Sequence, residues 1–380
     1  MRFILALLMA ALIFYRLIQP LRIRPIWKIL LAVPLAAACC KYEIIHLFGG
    51  SMFFAPDLPG WILLSSAWLY AVVFLLFFLL LAMEIVRLAV NIWVYFRDHR
   101  PISETCRKNL HRITLILAAS AVLLASLGLY EGKKLPEIRE REWSFPNLPN
   151  SADGIRIAVL ADLHADRATR APHIARVVER VNAARPDLIL LLGDFVDGRI
   201  EKRGPELLPL RDLKAPLGVY AVPGNHEYYS GYAPWMKHLR GLGLRMLENE
   251  HAELPNGIYL AGVADPAGKR TGDVLPDLPK ALQGIPDNRF ILLLAHQPGQ
   301  ARTAADHGVS LQFSGHTHGG MILGFDRIVA LFNGGFVSGL YQVSGMKLYV
   351  SNGTGIWNGF PIRLGHSSEI TLVTLKRHQL

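Results

Sequence analysis

The chain has 380 residues, a net charge of +10 and 52% apolar side chains, which is room for more than one domain and too apolar for disorder. Residues 1–150 hold sixteen basic and nine acidic side chains, whereas residues 151–380 hold twenty-four and twenty-one, so the basic balance belongs mostly to the flanks of an apolar first third. No basic stripe interleaved with aromatics accompanies it, so no nucleic-acid partner is expected. Cys39, Cys40 and Cys106 all fall in that third, which excludes a disulfide framework or zinc-thiolate site in the remainder.

The first third, residues 1–130, reads as a helical transmembrane region of about four spans. Trp61 to Met83 is an uncharged run long enough for a bilayer helix, and Ile113 to Tyr130 is a second of near-spanning length. Phe3 to Ile18 and Ile26 to Ala38 are shorter, with Arg16 and Lys28 near their ends; one of them could be interfacial or re-entrant, and a signal segment is the rival reading of the first. Trp93, Tyr95 and Phe96 read as an interfacial belt, and Glu84 and Arg87 as a pair or as interfacially solvated charges. Arg22 and Arg24 lie between the first two spans, and Arg97, Arg100, Arg107, Lys108 and Arg112 between the last two. The loop between them carries only Lys41, so the positive-inside rule puts the rest of the chain on the extracytoplasmic side of a plasma (inner) membrane. Lys133, Lys134, Arg139 and Arg141 argue the other way.

Glu131 to Ser151, charged and then Pro-rich, reads as a linker, and residues 152–380 as a soluble domain alternating strand and helix. His173 to Ala184, Tyr232 to Leu242 and Asp273 to Leu282 are predicted helices. Leu340–Val343 and Lys347–Val350 pair as a hairpin, and Glu369 to Leu375 closes the chain as a strand. Five apolar runs each end in metal-capable side chains: Asp162-Leu163-His164, Gly193-Asp194-Phe195-Val196-Asp197, Gly224-Asn225-His226-Glu227, Ala295-His296, and Gly315-His316-Thr317-His318-Gly319-Gly320. The ends of strands are where open α/β sheets build sites.

Asp162 and His164 are two apart, as are His316 and His318, so on an extended backbone each pair shares one face. Glycines flanking the second pair let backbone and ligands crowd a small volume. Carboxylate, imidazole and amide donors suit Mn, Fe or Zn better than calcium. Asp194 sits where a carboxylate bridging two cations is needed, and two such ions clamp the attacking and leaving oxygens of a phosphoryl centre.

In this order, the five motifs resemble the calcineurin-like metallophosphoesterase family over roughly residues 154–375. The resemblance implies a four-layer α/β sandwich, two mixed sheets flanked by helices, with the site at strand ends. It implies two divalent ions (Mn, Fe or Zn), one on Asp162, His164 and His318, the other on Asn225, His296 and His316, with Asp194 bridging. His226 would stabilise the transition state or protonate the leaving oxygen, and a metal-bound hydroxide would attack. Gly339-Leu340-Tyr341, Leu348-Tyr349-Val350-Ser351 and Pro361-Ile362-Arg363 are similar to the membrane-attached branch, which includes transmembrane proteins with a metallophosphoesterase domain. Met321 and Asn352 stand where that branch often has Gln and Arg, near the expected substrate mouth.

Singly, these residues have blander readings: His296 alone would be a hydrogen-bonded strand-end histidine, and only the ordered set promotes it. Asp197 and Glu227 read as supports behind the ligands. His173, His238, His251, His307 and His366 read as surface residues, and Asp166 and Arg167 as solvated loop. Arg363 is a candidate phosphate contact. Phe332, Phe336, Tyr341, Trp357 and Phe360 read as partly core, with a lid or membrane-facing lip as the alternative.

Three functions fit. The first is a bilayer-anchored hydrolase of a phosphate ester or pyrophosphate on a lipid-linked substrate, such as UDP-diacylglucosamine in lipid A assembly, which demands a cytoplasmic face. The second is an extracytoplasmic phosphatase or phosphodiesterase for a soluble or cell-wall substrate. The third is a non-catalytic metal-binding membrane protein, against which His226 argues, because a metal store has no need of it.

Overall fold

A computed structural model describes residues 2–49, 56–98 and 104–378. The chain divides into two compact units, one made of residues 1–56, 60–130 and 360–362, the other of residues 57–59, 131–359 and 363–380.

The first unit is helical: α1 (Arg2–Ile13), α2 (Pro25–Cys39), α3 (Lys41–Gly49), α4 (Gly60–Asp98) and most of α5 (Glu104–Lys133). Two segments, Gly60–Arg97 and Leu110–Lys133, are long and apolar enough to cross a bilayer, with mean hydropathies of 2.7 and 2.2. They contain the third and fourth expected spans. The other two differ from expectation. The Phe3–Ile18 stretch is too short, and α2 and α3 bend by 73° at their junction, as a broken span or re-entrant loop does. The described structure therefore supplies two spans, or three if the bent pair counts as one, rather than four. Pairing, not solvation, accounts for Glu84, which meets both Arg16 and Arg87. Arg100, used above for orientation, lies outside the described residues.

In the second unit the described strands are β1 (Glu137–Phe145), β2 (Arg156–Leu160), β3 (Leu188–Leu191), β4 (Val219–Ala221), β5 (Arg245–Met246), β6 (Glu250–Glu253), β7 (Tyr259–Gly262), β8 (Ile291–Leu294), β9 (Leu311–Ser314), β10 (Gly339–Val343), β11 (Met346–Val350) and β12 (Glu369–Arg377). They form two mixed six-stranded sheets, ordered β1-β12-β2-β3-β4-β5 and β10-β11-β9-β8-β7-β6. The central strands are apolar without alternation because both of their faces are covered. Ile157, Val159, Leu188 and Leu190 meet Leu292, Leu294, Leu311 and Phe313 between the sheets. Ala158, Leu160, Ile189 and Leu191 face outward instead, against α6 (Ala171–Ala183) and α8 (Asn225–Gly241). The outer face of the second sheet is likewise covered, by Leu278, Ala281, Ala301 and Ala304. The result is the expected four-layer sandwich, and the predicted hairpin and closing strand are β10–β11 and β12.

Helix α6 follows the periodicity of Ile174, Val177, Val178 and Val181, with a proline in its first turn. Helix α8 is broken at Gly231 (φ 109°, ψ 90°): its second piece starts at the predicted Tyr232, and an unpredicted first piece begins at Asn225 inside the Gly-Asn-His-Glu motif, where Glu227 turns back to accept the Gly224 N–H at 2.7 Å. The single helix expected over 273–282 is absent. Instead α9 (Gly268–Thr271), after the short α7 (Ile200–Arg203), precedes a separate helix at Leu278–Leu282, whose N-cap is Asp277.

The supposed linker needs the largest correction. Residues 137–145 form β1, which pairs in parallel with the whole of β12 as an edge strand. Its charged residues look outward, as on many natural edge strands, and this disguised it. Trp143 and Phe145 reach the inter-sheet core, where Trp143 packs 5.2 Å from the Tyr349 ring. Trp143→Ala should therefore lower the stability of the second unit by about 3–5 kcal/mol. In a urea titration followed by circular dichroism, a loss below about 1 kcal/mol would show that β1 contributes nothing to this core.

Candidate metal centre

The loops that leave β2, β3 and β9, and the start of α8, converge. Asp162, His164, Asp194, His316 and His318 all have positive φ, between 47° and 72°. The extended-backbone argument for the Asp-x-His and His-x-His pairs is thus wrong in its geometry, although both pairs do reach one cluster. Five non-glycine residues in the left-handed region represent stored strain, which persists only where the surroundings over-determine it. The surroundings here are backbone bonds between loops: Asp162 N–H donates to Gly193 O, His164 N–H to Asp194 O and Gly315 N–H to His296 O.

Glycine makes the close approach possible. A Cβ on Gly224 would sit 2.3 Å from Asp194 Oδ1, and one on Gly193, at φ +87°, 2.3 Å from the Gly224 nitrogen. Glu227 fastens the same crossing, accepting from Asp194 N at 3.0 Å and Phe195 N at 2.8 Å. Burial, followed by the Asp194 charge, pushes its carboxyl up to about 7.

Ligand-capable atoms gather into overlapping trios: Asp162, His164 and His318; His164, Asp194 and His226; Asp194, His296 and His316. Within each trio the atoms lie within 4.8 Å of one another. His164 Nε2 faces His318 Nε2 at 3.2 Å, and His296 Nε2 faces both Asn225 Oδ1 at 3.2 Å and Asp194 Oδ2 at 3.3 Å. Asp194 Oδ2 is also 3.7 Å from His164 Nε2, so one oxygen lies between both groups of donors.

The electrostatics fit divalent cations. Burial, followed by His296, drives His316 down to about 3, and burial with His164 drives His318 well below the usual histidine range, so both present neutral lone pairs. Burial also opposes charge on His296, yet Asp194 and Asp162 hold it at about 10. The carboxylates demand positive charge there, and a metal ion would meet the same demand. Among the described residues buried His318 Nδ1 has no hydrogen-bond partner, so its ring is held by packing and by whatever its Nε2 binds.

Behind these donors, Asp197 is fully buried and bonds two rings: His164 Nδ1 at 3.2 Å and His226 Nδ1 at 2.5 Å. Each imidazole thereby turns Nε2 toward the cluster. Partial desolvation disfavours charge on the half-buried His226, but Asp194 and Asp197 raise it to about 9.

Other expectations need correction. Arg363 is 1% exposed and spends its guanidinium on the carbonyls of His318, His366, Asn352 and Gly355, so it braces the loop after His318 and is not turned outward for phosphate. Asn352 is also buried, accepts from Ser338 Oγ and packs under Gly319, so it does not line a mouth. Asp166 is no solvated loop residue: it is 6% exposed and accepts from Thr169 N, Ala168 N and Asn358 Nδ2. His238 and His251 are half-buried and bond the carbonyls of Gly204 and Ala281. Sequence reasoning missed Tyr229, whose ring centroid lies 5.7 Å from that of His226, and the placing of Trp357 at 6.3 Å from it. The three-residue spacing of His226 and Tyr229 would have been a signal had α8 been recognised to start at Asn225.

A family model for calcineurin-like phosphoesterases matches residues 155–320. An uncharacterized metallophosphoesterase of Helicobacter pylori is 38% identical over 73% of this chain and 74% of its own length. A Danio rerio transmembrane protein with a metallophosphoesterase domain is 32% identical over 92% of this chain and 80% of its own. The chain belongs to the calcineurin-like phosphoesterase family. It is accordingly a metal-dependent phosphoester hydrolase, and its two apolar helices associate it with membranes.

Asp194 carries the most shared position, so Asp194→Asn should lower bound metal below half the wild-type content when the purified protein is assayed by inductively coupled plasma mass spectrometry, because the bridging charge is lost. Unchanged metal content would remove Asp194 from the ligand set.

Proposed function

We propose that the chain is a bilayer-anchored, two-metal phosphoesterase that cleaves a phosphate ester or anhydride carried by a lipid at the extracytoplasmic face. The observation behind it is the pair of donor trios meeting at Asp194 Oδ2, with the Asp197-held His226 at their edge. Asp162, His164 and His318 would hold one cation, Asn225, His296 and His316 the other, and Asp194 both. Such ions polarise the phosphoryl oxygens and acidify water. His226 would give its Nε2 proton to the leaving oxygen, while Asp197 holds the ring and balances the charge it carries.

Orientation follows from one loop. Whether α4 and α5 are the only spans or the last two of three, Arg97 to Arg112 lies between them and would stay in the cytoplasm. The domain that follows α5 then faces outward, away from UDP-diacylglucosamine and toward esters of the outer leaflet. Anchoring raises the effective concentration of such a substrate.

Two outcomes test the chemistry. Exhaustive metal removal should abolish hydrolysis of an aryl phosphate ester, and readdition of Mn, Fe or Zn should restore it. His226→Ala should cut kcat by roughly 100- to 10,000-fold at wild-type metal content. Loss of metal alongside activity would make His226 a ligand or a structural residue.

A further outcome tests the anchor. Alkaline carbonate or high salt should leave the protein in the membrane pellet, since neither segment has the charged face of a peripheral amphipathic helix. Appearance in the supernatant would contradict the spans.

A further inference from the structure

Asp57, in the short segment 57–59 that belongs to the second unit, is gripped by three cations from two parts of the chain. Its Oδ1 accepts from Arg167 Nε at 2.9 Å and from Arg203 Nη2 at 2.8 Å, and its Oδ2 accepts from Lys202 Nζ at 2.5 Å. Arg167 follows His164 in the loop after β2, and Lys202 and Arg203 lie in α7, just past Asp197. The cluster is thus built on the same stretches of chain that carry metal donors and their supports.

The charges do not balance. One carboxylate faces three cations, and among the described residues no other acid pairs with them. Glu206 is engaged elsewhere, by Arg170 at 3.4 Å and by the Ala171 N–H at 2.8 Å. Donors are left over as well. Arg167 and Lys202 are exposed, and among the described residues both Nη atoms of Arg167 and the other protons of Lys202 Nζ have no partner. Arg203 is 3% exposed, and its buried Nε has no hydrogen-bond partner either. A buried N–H left in that condition is costly unless a further acceptor takes it up. Gly198, at φ +121°, keeps that side of Arg203 clear, since a Cβ there would come within 3.3 Å of Nε.

A phosphate monoester fits these donors better than a carboxylate does, because it brings three acceptor oxygens and nearly two negative charges. Chain connectivity indicates its source. Gly60, three residues after Asp57, opens the apolar Gly60–Arg97 segment. The backbone therefore keeps Asp57 within about 10 Å of the first residue of that span, near the depth of lipid headgroups. We propose that Arg167, Lys202 and Arg203 form a binding site for the phosphate monoester of a lipid headgroup, with the Asp57 carboxylate as its internal competitor. The site uses the α4 span and is independent of the chemistry at the metal centre.

Lipid retention by the purified full chain in non-ionic detergent, read by native mass spectrometry, tests the site. The probe is the phosphonate analogue of dioleoyl phosphatidic acid, which a phosphoesterase cannot cleave, and dioleoylphosphatidylcholine is the zwitterionic comparison. The wild-type protein should bind the phosphonate at least about 10-fold more tightly, the size of one charge-assisted hydrogen bond. Arg167→Gln combined with Lys202→Gln should weaken phosphonate binding by about 10- to 100-fold. Asp57→Asn should instead strengthen it by about 5- to 10-fold, because the competing charge is gone. Glu201→Gln makes the same change of charge on an exposed position of α7 outside the cluster, and should stay within about twofold of wild type. Equal gains in Asp57→Asn and Glu201→Gln would overturn the site in favour of general surface electrostatics. A loss below about threefold in the double variant, or no gain in Asp57→Asn, would overturn it outright. Displacement of the lipid by equimolar inorganic phosphate would overturn it in favour of a free-phosphate site.

Discussion

Everything in the second unit leads to one oxygen. Asp194 Oδ2 lies within 4.0 Å of the Nε2 atoms of His164, His226 and His296, three rings that come from different parts of the chain. A carboxylate so deeply buried should resist ionisation, yet neighbouring His296 and His226 hold it well below the ordinary range. The charge is kept at the cost of solvation, and the rest of the site is arranged around it. Its second oxygen is tied to the His226 N–H at 2.8 Å, which fixes which oxygen faces the donors.

Keeping that carboxylate in place requires a rigid scaffold. The parallel run of β2, β3 and β4 ends its strands at one edge, and the backbone bonds between their exit loops hold the left-handed ligand residues where no isolated loop would stay. Gly193 and Gly224 permit the two chains to touch, and Glu227 closes the contact with three backbone hydrogen bonds. Strain at the ligands and the packing of four layers are therefore one design: the strained loops are affordable because both faces of each sheet are buried.

The same economy explains Asp197 and Arg363. Each is a buried charge satisfied by several partners. Asp197 orients two imidazoles, and Arg363 gathers four carbonyls from the loops around His318. Such groups are expensive to bury unless several partners hold them, as four carbonyls hold Arg363 although its Nε has no hydrogen-bond partner among the described residues, so they persist where geometry must be single-valued. Arg363 gains structure at the expense of any direct role with phosphate.

The amino-acid sequence by itself picked out the candidate metal donors and their order. Asp162, His164, Asp194, Asn225, His296, His316 and His318 stood out only as an ordered set: one apolar run ending in such a residue has a blander reading, but five in series do not. The central strands and α6 were legible because burial imposes period and composition locally. What only the tertiary structure decided depends on partners far away in the chain. β1 looked like a charged linker because its stabilising neighbour β12 lies more than two hundred residues further on. Asp166 looked solvated and Arg363 looked like a phosphate contact because their bonding partners, Asn358 and the carbonyls around His318, are distant or are backbone and leave no pattern. The left-handed ligand loops were invisible for the same reason: φ at Asp162 or His316 is set by contacts between strand ends, while residue type sets only what it costs.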